Sequence, residues 1–367
     1  MGEEKANHGE GVSLVTLADC AVPAGELFPI LAQGPVGIAR LAAKGEDAGR
    51  RGGKDGHGVQ FRTLQTRSLL SRIVSKRGFP FAWAINPYRG CEFGCRYCYA
   101  RYTHEFMGKS DPLLFEREIY IKQQAAWLLR QELKQVRPDE QIAIGTATDP
   151  WQPIERRERV TQSLLQVLTE CSELTVGIVT KSTLVERDID LLTRIAVRNR
   201  LTVCLTITTP DPQLARVLEP RAPRPDLRFR TVERLREAGL RVGILCSPLM
   251  PGITDTAQAL ERMAVRAKNA GACFFSAQPL FLKPCSRPVF LQFIEEHFPQ
   301  LRQAYETRYH DRAFVHKAYS ERVGALVRAV VRKHGLGERF SEIPRKGVQP
   351  VWPVQGELWE GVQRKSA

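Results

Sequence analysis

Three cysteines stand within eight residues in the stretch NPYRGCEFGCRYCYAR: Cys91, Cys95 and Cys98, spaced C-x3-C-x2-C. Thiolates that close can converge on one metal centre, and Gly90 and Gly94 give the loop the turns it needs to curl around it. Closed zinc sites and ordinary iron–sulfur sites take four protein ligands. Here the next cysteine, Cys171, lies 73 positions on, and His104, six residues past Cys98, is the local substitute. Two chemistries follow. A 4Fe-4S cluster on three cysteines leaves one iron open for substrate or cofactor, whereas a Cys3His set would close around structural zinc in a nucleic-acid-binding protein.

The elements that must position this loop are β/α units. From Phe61 onward, apolar β-rich runs alternate with helical periodicity, the pattern of a parallel sheet covered by helices. AWAIN (82–86) reads as a first strand just before the cysteines, and EREIYIKQQAAWLLRQELKQV (116–136) as its amphipathic helix. Strands follow at 141–148, 174–182, 201–209, 241–249 and 272–280, with helices at 155–171, 186–199, 227–238 and 255–269. Six units fall short of the eight of a closed barrel, so the expected fold is α/β: a partial (β/α)6 TIM-type barrel with chemistry at the C-terminal ends of the strands. The expected domains are a Gly-rich disordered leader (1–60), the barrel (61–283), C-terminal helices (284–340) and a Pro-containing tail (341–367).

C-x3-C-x-φ-C after the first strand of a six-unit β/α chain resembles the radical S-adenosylmethionine (SAM) superfamily. The wording NPYRGCEFGCRYCYAR, with GTATDPWQPIE and VTKSTLVERDIDLL, is similar to its spore photoproduct lyase-related branch over residues 75–330. The resemblance implies that Cys91, Cys95 and Cys98 bind three irons of a 4Fe-4S cluster while the fourth chelates SAM. Reductive cleavage of SAM would then give a 5'-deoxyadenosyl radical that abstracts a substrate hydrogen, with the electron supplied by a flavodoxin- or ferredoxin-type donor. It further implies that Tyr97 and Gln278 border the adenine, and that Gly145, Thr146, Thr148 and Asp149 meet the methionine amino group. Lys181 would meet the SAM carboxylate, and Thr206 with Thr208 the ribose. One departure matters: photoproduct lyases return a hydrogen atom from a cysteine after the second strand, where this chain has Gly145-Thr146-Ala147-Thr148. A threonine hydroxyl holds its hydrogen far more strongly than a thiol, which argues against thymine-dimer repair. Cys246, at the end of the fifth strand, is the remaining thiol expected to face the barrel mouth and act in catalysis.

Composition sets the outer bounds. The 367 residues carry 54 Lys plus Arg against 40 Asp plus Glu, a net charge of +14. The first 60 hold six basic and eight acidic residues, so the remainder carries +16. That excess is compatible with a basic groove and a DNA or RNA substrate, and PRAPRPDLRFR places Arg221, Arg224, Arg228 and Arg230 after the fourth strand, where phosphates could bind. No window approaches the roughly 18–20 apolar residues of a membrane span, and the polar opening lacks the regions of a signal peptide. A cytoplasmic monomer without membrane contact is therefore expected. The G-x-x-x-x-G-K-[ST], H-E-x-x-H and G-x-S-x-G signatures are absent.

Overall fold

The computed structural model describes residues 51–55, 58–73, 80–337 and 339. Eleven strands among them form two sheets. In chain order they are β1 (Arg51–Asp55), β2 (Val59–Leu64), β3 (Leu70–Arg72), β4 (Trp83–Ile85), β5 (Tyr88–Arg89) and β6 (Glu118–Lys122). Then come β7 (Gln141–Ile144), β8 (Thr175–Thr180), β9 (Arg200–Thr206), β10 (Arg241–Leu249) and β11 (Phe274–Pro279).

The larger sheet runs β11-β10-β9-β8-β7-β4-β3. Every neighbouring pair from β4 to β11 is parallel, and β3 closes one edge antiparallel to β4. The six parallel strands are the six expected units, laid side by side in chain order as a partial barrel requires. Alternation sorts their side chains. Ile142, Ile144, Val176, Ile178, Val203, Leu205, Val242 and Ile244 belong to the main buried core with apolar residues of the covering helices, such as Leu164, Leu192 and Leu235. The intervening residues, among them Ala84, Ala143 and Cys204, lie on the opposite face.

Three expectations are corrected. The helix read at 116–136 begins as strand: Glu118–Lys122 is β6, and only Ala125–Glu132 is α-helical. EIYIK alternates β-branched and aromatic residues and pairs with β2 and β5 in a small sheet ordered β1-β2-β6-β5. The leader was expected to run to residue 60, but β1 falls inside that range and pairs antiparallel with β2, which crosses its end; residues 1–50 and the tail from 340 lie outside the described residues. The helix expected from 186 to 199 begins as a tighter 3-10 turn, Thr183–Asp188, and is α-helical over Ile189–Arg198, with Asp188 accepting from the indole of Trp151 and the amide of Gln162, both at 2.7 Å. After β11 the chain is helical as expected, with Arg287–His297, Arg302–Tyr309 and Lys317–Lys333. Among the described residues no helix is long and apolar enough to cross a membrane.

Candidate active site

The cysteine loop follows β5 and packs over the C-terminal ends of the parallel strands. Phe93, Cys95 and Tyr97 share an apolar cluster with Leu218, with Met250 just past β10, and with Leu280 and Leu282 just past β11; Cys91 and Cys98 pack against it. Both glycines are required by shape. Gly90 has φ +85°, and a Cβ there would sit 2.7 Å from the Glu118 carbonyl and 2.8 Å from that of Phe115. Gly94 has φ +63° and would meet the Arg221 guanidinium at 2.7 Å.

All three cysteines are free thiols. Burial pushes each of them up, Cys95 to about 12, and Asp149 together with the other two sulfurs adds to the rise at Cys91. Metal binding at these thiols must displace their protons and is therefore coupled to pH. Among the described residues no three His, Cys, Asp or Glu side chains form a site for a single ion. An iron–sulfur cluster makes a different demand, since each thiolate meets its own iron, and this donor set fits three of four corners. His104 does not complete it. Its Nε2 lies 3.0 Å from the Glu118 carbonyl, its ring packs edge-on against Phe115 and Tyr120, and burial lowers its pKa to about 4.

One flank of the loop is tied down by GTATDPWQPIE. Thr148 Oγ1 donates to the Gly90 carbonyl at 2.5 Å, and the Gln152 amide donates to that carbonyl and to Thr148 Oγ1. Gln152 Oε1 accepts from the Glu92 N–H at 2.9 Å, while Glu92 accepts in turn from the Ile154 N–H at 2.7 Å. Asp149 faces β8: it accepts from Thr180 Oγ1 and the Lys181 N–H, both at 2.7 Å, and from the Trp151 N–H at 3.0 Å. Burial raises the pKa of this carboxyl despite those donors. Thr148 and Asp149 thus have full sets of protein partners. Gly145, at φ +87°, lets the chain pass so close to β8 that a Cβ would lie 2.3 Å from the Val179 carbonyl. Thr146 accepts from Asn86 Nδ2 at 3.1 Å, and its carbonyl takes the Tyr99 hydroxyl.

On the other flank stands a charged hub that sequence reading missed. Glu219 is 1% exposed. Its Oε1 accepts from the Tyr97 hydroxyl and from Thr208 Oγ1 at 3.1 Å, and its Oε2 lies 2.6 Å from Arg228 Nη1. Arg228 also donates to the carbonyls of Pro223 at 2.7 Å and Thr206 at 3.0 Å. The Lys181 ammonium sits 5.7 Å from the Tyr97 ring centroid. Burial works against that ammonium, yet Cys95 and Glu219 hold its pKa above the ordinary lysine value. Glu219 itself is disfavoured by burial and held below the usual carboxylate range by Arg228 and then Lys181. Tyr97 and Glu219 are 122 positions apart, so no local pattern could pair them; the signal available was the Pro-broken run after the fourth strand. Of its arginines, Arg228 is internal, Arg221 lies 3.6 Å from Glu116, and Arg224 pairs with Asp226 at 3.0 Å.

Two further expectations resolve differently. Cys246 does not face the mouth: it is 1% exposed within the helix-side core, and its Sγ reaches the Thr208 carbonyl at 3.5 Å. Thr206 and Thr208 do share a face, opposite Leu205 and Ile207 of the core, but the Thr208 hydroxyl is spent on Glu219. Gln278, at the end of β11, is exposed.

Comparison with known proteins agrees with this geometry. Residues 85–264 match the family model of the Radical SAM superfamily. An uncharacterized protein of Mycobacterium tuberculosis is 29% identical over 305 residues, 82% of this chain and 89% of that one. Another, of Methanocaldococcus jannaschii, is 28% identical over 173 residues, 47% and 62% of the two chains. Among solved structures, spore photoproduct lyase with AdoMet and a dinucleoside spore photoproduct bound superposes with a TM-score of 0.55 at 15% identity, covering 75% of this chain and 79% of that one. At that identity the likeness is one of fold.

Proposed function

We propose that the chain, whose residues 85–264 match the Radical SAM superfamily model, acts as a radical SAM enzyme in which Cys91, Cys95 and Cys98 hold a 4Fe-4S cluster, SAM binds beside it, and a hydrogen atom is taken from an organic substrate at the barrel mouth. The observation that carries this reading is the loop itself: three free thiols, Cys95 buried and Cys91 and Cys98 half-buried, on a glycine-shaped turn over the C-terminal ends of six parallel strands. When bound and reduced by a flavodoxin- or ferredoxin-type donor, the pair supplies a 5'-deoxyadenosyl radical, the hard chemistry that the protein only positions.

What the chain's own residues do follows from their partners. Lys181 keeps its charge beside Cys95 and suits the carboxylate of SAM, and Tyr97, its hydroxyl fixed by Glu219, offers a ring for the adenine. Thr206 suits the ribose and Gln278 the adenine edge. Gly145 and Thr146 serve the methionine end, while Thr148, Asp149 and Thr208 act through the groups they hold. Cys246, 1% exposed in the helix-side core, is given no role as a hydrogen donor. The zinc reading asks His104 to leave the Glu118 carbonyl and an aromatic pocket, so the geometry favours the cluster.

For the substrate, a nucleic acid draws support from aromatic rings beside the loop. Tyr99 lies 5.9 Å from Phe281, which stacks on Phe314 at 4.3 Å with Phe314 36% exposed. Bases stack on such faces regardless of sequence. The test of the cofactor assignment is anaerobic reconstitution with iron and sulfide, followed by metal analysis and electron paramagnetic resonance. Four irons per native chain, a signal that changes on adding SAM, and loss of both in Cys95→Ala are expected; tightly held zinc would overturn the assignment.

A further inference from the structure

Between the two sheets, on the β3–β4 side of the mouth, lies a small cavity of about 50 Å³ whose wall includes Asn86, Arg89, Tyr99, Tyr102, Lys122 and Thr146. Two of these are cations placed together by the small sheet. Arg89 of β5 pairs with Tyr120 of β6, and Lys122 stands two residues beyond Tyr120, so alternation puts both on one face. Among the described residues neither has an anionic partner within ion-pair distance: there Arg89 donates to the Thr103 carbonyl at 3.2 Å, and the Lys122 ammonium makes no hydrogen bond or ion pair. The carboxylate whose field reaches Lys122, Glu132, is occupied by the N–H groups of Leu69 and Leu70, at 2.9 and 2.7 Å. Burial, and then Arg89, push the Lys122 ammonium down to about 7.

Two desolvated like charges in one hollow cost free energy unless an anion answers them. The other charged pairs around the loop are answered: Glu219 meets Arg228, Glu116 meets Arg101 at 2.6 Å, and Glu118 meets Lys109 at 2.7 Å. At about 10–15 Å³ of cavity space per water, the cavity has room for a few waters and so for a phosphate or carboxylate head. Its wall adjoins the candidate SAM site through Thr146 and through Tyr99, which directly follows Cys98. We propose that this cavity is an oxyanion subsite, in which Arg89 and Lys122 take the phosphate or carboxylate of the substrate and leave its reacting carbon outside, facing the mouth. This deepens the radical SAM reading and rests on it for the role, although not for the binding.

The test needs neither cluster nor turnover. Thermal melts of the full-length chain are followed against inorganic phosphate and against acetate, at ionic strength held constant with chloride, for the native protein, Lys122→Met and Arg89→Met. A saturable rise in melting temperature is expected for the native chain. In both variants the apparent affinity should fall at least tenfold, while Lys122→Met without ligand melts no lower than native because a buried unpaired charge has gone. Preference for phosphate over acetate would assign the head to a phosphoester substrate, and the reverse to a carboxylate. Equal shifts in all three proteins, or no saturable shift in the native one, would overturn the subsite. Failure of SAM cleavage with these shifts intact would instead remove the radical role and leave the anion site.

Discussion

On one flank of the cysteine loop, the neutral side chains of Thr148 and Gln152 bond to its backbone and the loop's own Glu92 carboxylate accepts from the Ile154 N–H; on the other, Glu219, Arg228 and Lys181 surround Cys95 and Tyr97 with charge. The first flank satisfies main-chain groups that a tight loop leaves open, namely the Gly90 carbonyl and the Glu92 N–H. The second flank meets the loop through main chain, with the Arg96 N–H donating to the Leu218 carbonyl at 2.9 Å and the Arg221 N–H to the Phe93 carbonyl at 3.4 Å, while its side chains keep charges in place. The difference lies in the side chains: on one side they help fix the loop's shape, and on the other they set the field around the sulfurs.

The comparison can be broken by removing each flank in turn. Glu219→Ala leaves Arg228 and Lys181 buried without their counter-charge and should cost about 3–5 kcal/mol of stability in urea unfolding. A loss under about 1 kcal/mol would mean that the hub is solvated and not the closed network described. Thr148→Val removes one donor to the Gly90 carbonyl and one acceptor for Gln152, for which about 1 kcal/mol is expected. Its iron content after reconstitution should stay at the native level, because Gln152 still holds that carbonyl; collapse of iron binding would show that the neutral flank does more than shape the loop.

The smallest effect is the sharpest for metal identity. His104→Gln should leave the iron count unchanged, whereas a Cys3His site would lose its metal. The same residue has a pH signature. Its native pKa of about 4 lies under the ordinary value of 6.5, so the unfolded chain takes the proton first. Stability should therefore fall as pH drops from about 6.5 towards 4, and His104→Gln should flatten that slope. An unchanged slope would place the acid sensitivity elsewhere.

Much of this was legible in the chain itself. Three cysteines at that spacing after a short strand mark the loop, and near-continuous apolar runs mark the parallel strands, because both are local patterns. EIYIK was hidden because it abuts a true helical pattern from Ala125 onward, and a window spanning both reads as one helix. Thr148 and Asp149 lie in the region where a site was expected, and their protein partners Gly90 and Thr180 become neighbours only when the chain folds. The Glu219–Tyr97 and Arg89–Lys122 groupings are tertiary from the start. No single-chain periodicity brings residues from a strand end, a loop and a later helix into one site.

The central claim is that the three-cysteine loop supports radical chemistry. The direct measurement is mass-spectrometric detection of 5'-deoxyadenosine from the anaerobically reconstituted chain with dithionite and SAM, run beside Cys95→Ala. The account predicts the product from the native chain and none from the variant. A native chain that carries four irons and binds SAM yet yields no 5'-deoxyadenosine, even with phosphoester and carboxylate substrates supplied, would contradict it.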